Sequence, residues 1–264
     1  MSTTRPSVAV YKFSSCDGCQ LSLLNMEDEL LDLAGAVDLA FFLEASRATR
    51  PGPYDIAMVE GSVTTEHEVE RIREIRSQAT TLVALGTCST AGGIQALRNF
   101  SDADAFARTV YPHPEFLKYL KTSKPTSAYV QVDLELWGCP GNKGQVLEVI
   151  GALLQGRRPN LPAYSVCLEC KRAGAICVLV DKGMGCLGPA TQAGCGAICP
   201  GMGRGCYGCF GPVGYANTEA LSAVLQRVER QPGEALRLYR GVSGGAAVFS
   251  NAATELSGRV KESR

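Results

Sequence analysis

The chain has 264 residues, of which 45% are hydrophobic and 20% are charged, and its 26 basic residues balance 26 acidic ones. This length allows two domains, while zero net charge and the lack of a basic cluster argue against nucleic acid as a partner. The first residues lack the charged and apolar segments of an export signal, and no run of about 18 apolar residues predicts a membrane span. We therefore expect a cytoplasmic protein without a membrane span.

Cysteine is unusually frequent, with 12 residues, whereas histidine occurs only at His67 and His113. A reducing compartment disfavours disulfides, so this many cysteines indicates metal binding. Both histidines are expected to face solvent, since one lies on a charged helix and the other between prolines. Thiolates must then supply the ligands, and soft sulfur donors favour iron–sulfur clusters or zinc.

In chain order, the first half of the sequence alternates short apolar runs with segments of helical periodicity. Strands that alternate with helices predict a parallel sheet with helices on its faces, and so an α/β fold. Residues 100–127, which contain three prolines, are expected to form an irregular insertion. We predict strands over residues 8–13, 37–43, 54–60, 81–86 and 130–136, and helices over 21–33, 66–77, 145–154 and after Gly93.

Four cysteines follow the ends of predicted strands. Cys16 and Cys19 come after the first strand, Cys88 after the fourth and Cys139 after the last. Because ligands of open parallel sheets bind beyond the carboxyl ends of the strands, we expect these thiols to share one site. Four thiolates are enough to bind a single cubane cluster. The alternative is that Cys88 and Cys139 are small core residues, as free cysteines often are. Glu60 ends another strand near this site and is a candidate for supporting the ligands or handling protons.

The remaining eight cysteines lie within residues 167–209, among glycines, prolines and small polar residues that are too weakly apolar to form a core. Zinc ribbons pair two Cys-x2-Cys units across about 15–20 residues, and the spacing here fits that pattern poorly. Two sets of four fit two cubanes better, and Cys199-Pro200 resembles the end of ferredoxin motifs. The sets are Cys167, Cys170, Cys177 and Cys186, followed by Cys195, Cys199, Cys206 and Cys209.

The two groups of cysteines suggest two domains with a boundary near Pro159 and Pro162, which flank a polar turn. We place one domain over residues 1–158 and an irregular, cysteine-rich domain over 159–264. A helix is predicted over 218–230, and the last 35 or so residues are expected to pack around the outside.

Twelve cysteines make three cubanes with none left over, and the chain lacks the glycine-rich motifs of nucleotide sites. This combination indicates an electron-transfer path.

Four short motifs give the sequence a family resemblance. Cys16-Asp-Gly-Cys19, Glu60-Gly61, Gly86-Thr-Cys88 and Gly138-Cys139-Pro140 are similar to elements of the small, electron-transferring subunit of [NiFe] hydrogenases. The stretch over residues 167–212 is similar to the cytosolic NAD(P)-linked sulfhydrogenase branch of that family, its delta subunit. The resemblance covers roughly residues 5–215.

This resemblance implies a flavodoxin-like N-terminal domain and three [4Fe–4S] clusters. It implies that the chain catalyses nothing alone and relays electrons between the nickel–iron site of a large subunit and iron–sulfur and FAD/NAD(P)-binding diaphorase subunits. The implied ligands are Cys16, Cys19, Cys88 and Cys139 for the proximal cluster, Cys195, Cys199, Cys206 and Cys209 for the medial one, and Cys167, Cys170, Cys177 and Cys186 for the distal one.

Two positions depart from the periplasmic and membrane-bound members of the family. Cys167 stands where those proteins have histidine, and Cys199 stands where they commonly have proline. An added thiolate charge lowers a cluster's reduction potential, and a fourth thiolate completes a four-iron cluster. Both changes predict a low-potential path suited to a nicotinamide acceptor, with the choice between NAD and NADP left open.

Two other functions compete with this interpretation. The cluster-binding subunit of respiratory complex I resembles the N-terminal domain, but it has adjacent cysteines at the first ligand position and lacks the eight-cysteine tail. A free ferredoxin-like carrier or a structural metal protein is the second alternative. Metal analysis separates the structural protein from the others, because only that interpretation allows zinc in place of iron and sulfide.

Overall fold

The computed structural model describes residues 5–231 and 233–262. The chain divides into two compact units, residues 1–160 and 161–264, which are described separately. In the described part of the chain, no helix combines the length and the apolar character needed to cross a membrane.

The first unit is built on a parallel sheet with the strand order β2-β1-β3-β4-β5. This order is that of flavodoxin-like folds, in which ligands bind at the switch point between the first and third strands. The predicted α/β class is therefore confirmed. The strands are β1 (Ser7–Lys12), β2 (Asp38–Phe42), β3 (Tyr54–Glu60), β4 (Ala79–Leu85) and β5 (Leu134–Leu136).

Helices cover the sheet and supply its core. In the third of them, Thr65 forms a capping box with Glu68, and Val69, Ile72 and Ile75 recur at helical spacing and are buried against the strands. The helices of this unit are α1 (Gly18–Leu24), α2 (Asp28–Ala36), α3 (Glu66–Gln78), α4 (Gly86–Ala91), α5 (Ala103–Val110) and α6 (Lys143–Leu154), with a 3-10 helix at Ile94–Phe100.

Three local predictions for this unit are wrong. The helix expected over residues 21–33 is split into α1 and α2, because Glu27 adopts a positive φ of 53° and Met26 turns into the core. The supposed irregular insertion contains α5, whose first N–H groups are capped by the Asp102 side chain. The last strand begins only at Leu134, since the backbone before it turns, with the Val130 N–H donating to the Thr126 carbonyl.

The second unit has a helical core formed by its last residues. Tyr239, Phe249 and Leu256 are almost fully buried and pack with Leu225. The expectation that this tail packs around the outside is therefore wrong, because its apolar residues form the main core of the unit. The helices are α7 (Val166–Arg172), α8 (Val178–Asp181), α9 (Ile198–Gly201), α10 (Thr218–Val228), α11 (Glu234–Tyr239) and α12 (Ala247–Glu262).

The cysteine-rich stretch has a small core of its own. Val166 and Val178 are buried together with the thiols of Cys170, Cys186 and Cys206. The side chains of three predicted metal ligands thus take part in packing, in a stretch that has few apolar residues.

Candidate iron–sulfur centres

The sheet of the first unit brings its cysteines to one edge. Cys16 lies in the loop after β1 and Cys19 in the first turn of α1, while Cys88 lies in α4, directly after β4. Cys139 occupies the turn after β5. Because all these strands are parallel, their carboxyl ends meet at the same edge, as the sequence predicts.

The four thiols lie close enough to influence one another's ionisation. Burial raises the pKa of Cys88 to about 11, and the charges of Cys139 and Cys16 also raise it. Burial is likewise the main cause of the raised pKa of Cys19, to which Glu60, Cys88 and Cys139 contribute. Without a metal these two thiols stay protonated at neutral pH, so metal binding must release protons.

Exposure differs across this group of cysteines. Cys19 is buried at 7% exposure, whereas Cys16 and Cys139 are exposed. One side of the site is therefore closed by the sheet and α1, and the other side is open at the surface of the unit.

Three glycines bring the backbone close to the sulfur atoms of this site. Gly93 has a positive φ of 60°, and a Cβ atom there would lie 2.5 Å from the Cys88 Sγ atom. A Cβ atom at Gly86, which also has a positive φ, would collide with the Cys19 Sγ atom. The Gly141 N–H donates to the Cys19 Sγ atom at 3.4 Å. Backbone that approaches sulfur this closely, in an all-thiol donor set, fits an iron–sulfur cluster.

Glu60 is buried at the end of β3, at the switch point of the sheet. Its carboxylate accepts the N–H groups of Cys19 at 3.0 Å and Gln20 at 3.2 Å. It therefore holds the first turn of α1, the element that presents Cys19. A role as a supporting residue matches these contacts, whereas a role in proton handling stays a prediction.

Sequence reasoning missed Gln95, which also contacts the site. Its side-chain amide donates to the Ser14 carbonyl at 2.6 Å, and its Oε1 atom accepts the Cys88 thiol at 3.5 Å. Gln95 thereby links the loop after β1 to Cys88, which follows β4. No spacing rule connects these residues, so the contact becomes visible only in three dimensions.

In the second unit, the first set of four cysteines surrounds one cavity. Cys167, Cys170, Cys177 and Cys186 all line it. Burial raises the pKa of Cys167 to about 11, and the charges of the other three thiols raise it further. The Cys206 N–H donates to the Cys186 Sγ atom at 3.2 Å.

The four cysteines of the second set have fewer direct contacts with one another. The Cys206 thiol is buried, which raises its pKa, and the charges of Cys186 and, to a smaller extent, Cys209 contribute. Cys199 lies within α9, and Cys195 precedes that helix, beside the carboxylate of Glu169. The structure thus brings Cys206 and Cys209 together and places the other two on a neighbouring loop and helix.

Other potential metal ligands lie elsewhere. His67 and His113 are exposed, as expected, and His113 pairs with Glu115. Among residues 5–231 and 233–262, no three Cys, His, Asp or Glu side chains converge at the spacing of a single metal ion.

Comparison with known proteins places these features in a family context. The family model described as "NADH ubiquinone oxidoreductase, 20 Kd subunit" matches residues 16–153, which include all four cysteines of the first unit. The sulfhydrogenase 2 subunit delta of Pyrococcus furiosus is 38% identical over 84% of this chain and 92% of its own length. A subunit of the F420-non-reducing hydrogenase of Methanocaldococcus jannaschii is 32% identical over 80% of this chain and 83% of its own length.

Similar solved structures come from hydrogenases. A chain of an NAD+-reducing [NiFe]-hydrogenase in the H2-reduced state has a TM-score of 0.56 and 29% identity, covering 60% of this chain and 96% of that one. A chain of the actinobacterial-type NiFe-hydrogenase of Ralstonia eutropha has a TM-score of 0.58, covering 99% of this chain and 91% of that one. At 17% identity, this second likeness shows the fold alone.

Proposed function

Because the chain belongs to the family of [NiFe]-hydrogenase small subunits, in the sulfhydrogenase delta branch, we propose that it is the electron-transfer subunit of a cytosolic hydrogenase. It would relay electrons between a nickel–iron site on a large partner subunit and a flavin/NAD(P) module. An oxidoreductase role follows from the family, whose members include F420-non-reducing and NAD-reducing enzymes.

The proposal assigns three [4Fe–4S] clusters to the twelve cysteines. When bound, each cluster accepts and donates one electron at a time. In the first unit, Cys16, Cys19, Cys88 and Cys139 would hold the proximal cluster. In the second, the set of Cys167, Cys170, Cys177 and Cys186 would hold the distal cluster, and Cys195, Cys199, Cys206 and Cys209 the medial one.

The observation that supports this function most strongly is the position of the first-unit cysteines. Three separate loops bring four thiols to the carboxyl ends of parallel strands, beside glycines that let the backbone approach the sulfur atoms closely. A core role for Cys88 and Cys139 does not account for the exposure of Cys139.

The exposed side of this site suits contact with a large subunit. Cys16 and Cys139 lie at the surface, and Leu21 in α1 exposes half of its side chain nearby in sequence. Oxidation of H2 at the partner's metal site releases two protons and two electrons. The electrons would pass through this chain singly, and reduction of NAD(P)+ would consume two of them with one proton.

A diaphorase partner is supported by one relative in particular. The NAD-reducing hydrogenase HoxS subunit delta of Cupriavidus necator is 29% identical over 59% of this chain and 82% of its own length. The cysteines at positions 167 and 199 support a low-potential path for the same acceptor class, since they complete two all-thiolate ligand sets.

The second candidate is a cluster subunit of a complex I-like assembly. The name of the matching family model favours it, but that model covers residues 16–153 and leaves out the eight-cysteine stretch. The relative from Pyrococcus furiosus extends across 84% of the chain. This broader match favours a hydrogenase subunit over a complex I subunit.

Metal analysis of anaerobically purified protein tests the proposal. We expect about twelve irons and twelve sulfides per chain, with a brown absorption that dithionite bleaches. Zinc without sulfide would support a structural metal protein instead. Copurification of a nickel-bearing chain would distinguish a hydrogenase subunit from a free ferredoxin-like carrier.

A further inference from the structure

Glu169 lies between two cysteines of the first set in the second unit but contacts the loop of the other set. It sits on α7 between Cys167 and Cys170. Its Oε1 atom accepts the Gly194 N–H at 2.9 Å, and its Oε2 atom accepts the Ala197 N–H at 3.2 Å. The carboxylate thus spans the loop over residues 194–197.

This loop has a backbone conformation that needs support. Ala197 adopts a left-handed conformation with φ 54°, which is unfavourable for a residue that has a Cβ atom. It is also buried, with 1% of its surface exposed. Two N–H groups that point at one carboxylate fix the loop just before α9 begins.

The same carboxylate lies beside a predicted ligand of the second set. The Cys195 Sγ atom is 3.9 Å from the Glu169 Oε2 atom. A negative charge at this distance opposes the addition of an electron to any group that Cys195 binds.

We propose that Glu169 is a positioning residue for the second set of cysteines, although it lies in sequence between two cysteines of the first set. It fixes the loop that presents Cys195, and its charge lowers the reduction potential of the cluster that this set would bind. This inference rests on the proposed function, because it presupposes that the second set holds a cluster.

The test compares three variants of the complex under redox-titrated EPR spectroscopy, together with iron counts. Glu169→Gln removes the charge but keeps the shape, and Glu169→Ala removes both. Lys171→Gln, at an exposed position of the same helix, is the matched control. Two reference variants assign the signals: Cys195→Ser identifies the signal of the second set, and Cys167→Ser identifies that of the first.

We expect Glu169→Gln to raise the midpoint potential of the signal that Cys195→Ser alters, and of no other signal. Glu169→Ala should in addition lose up to about four irons, the content of one cubane, while circular dichroism shows the fold retained. Lys171→Gln should leave the midpoint potential of that signal unchanged. The inference is overturned if Glu169→Gln shifts the signal that Cys167→Ser alters, or if it shifts none. Wild-type protein without iron–sulfur signals would instead overturn the proposed function itself.

Discussion

The Glu60 carboxylate accepts the backbone N–H of Cys19 at 3.0 Å, so the residue that ends β3 holds a cysteine that follows β1. The carboxylate of this β3 residue thereby supports the segment after β1 rather than the loop after its own strand. Glu169 forms an equivalent pair of contacts in the second unit. In each unit, one acidic side chain anchors a loop that presents a cysteine.

Replacing Glu60 should weaken the proximal site. In Glu60→Ala the N–H groups of Cys19 and Gln20 lose their acceptor, which costs about 2 kcal/mol of unfolding free energy. Chemical denaturation and iron counting measure the effect. Glu70→Gln, at an exposed position of α3, is the control. Full iron content and unchanged stability in Glu60→Ala would show that the carboxylate supports nothing.

Replacing Gly93 should disturb the site through shape alone. In Gly93→Ala the new Cβ atom would meet the Cys88 Sγ atom at 2.5 Å, on backbone with a φ of 60°. We expect a loss of at least about 1 kcal/mol of stability and a reduced iron content. Gly151→Ala is the matched control, because it lies in α6 with open space around it and should gain about 0.5–1 kcal/mol. Equal behaviour of the two variants would contradict the close fit at Gly93.

The stability of the first unit should depend on Asp133 in acid. Burial alone would raise the pKa of Asp133, but the Leu82 N–H and the Arg76 guanidinium lower it overall. A carboxyl with a lowered folded-state pKa stabilises the protein above its unfolded value of about 3.9 and loses that effect as the pH falls through its folded value. Asp133→Asn should therefore cost about 1 kcal/mol at pH 7. Denaturation curves from pH 7 to pH 3 should show this difference shrinking, and a constant difference would refute the linkage.

The core of the second unit should depend on its last helix. Phe249 in α12 is 1% exposed, with its ring centroid 5.8 Å from that of Tyr239. Phe249→Ala should cost about 3 kcal/mol, and limited proteolysis should then cleave residues 161–264 faster. Val248→Ala, at 36% exposure, is the control and should change little. Equal protease resistance of the two variants would mean that α12 is peripheral.

A strand is predicted most accurately where a run of buried apolar residues lies between two turn residues. The predicted bounds of β3 match the structure to the residue, because the apolar run over residues 56–59 lies between the turn residues Pro53 and Gly61. The break at Glu27 was not predictable, since a non-glycine residue with positive φ has no local sequence signal. The α11–α12 core is not predicted from the sequence for a different reason, because apolar residues without a motif do not show whether a segment is central or peripheral.

Ligand candidates were easier to predict than their supports. Cysteine spacing and strand ends pointed to the first-unit site, because topology brings strand ends together whatever the loops contain. Gln95 and Glu169 act through contacts between segments that are distant in sequence, so only the folded chain reveals them.

Electron relay through the proximal site is the central claim, and Cys88→Ser tests it most directly. The measurement is H2-driven NAD(P)+ reduction by the complete complex, with nickel content determined on the same sample. We predict that the variant loses this activity while the large subunit keeps its nickel, because the path is broken one step beyond the metal site. Full activity in the Cys88→Ser complex would contradict the account.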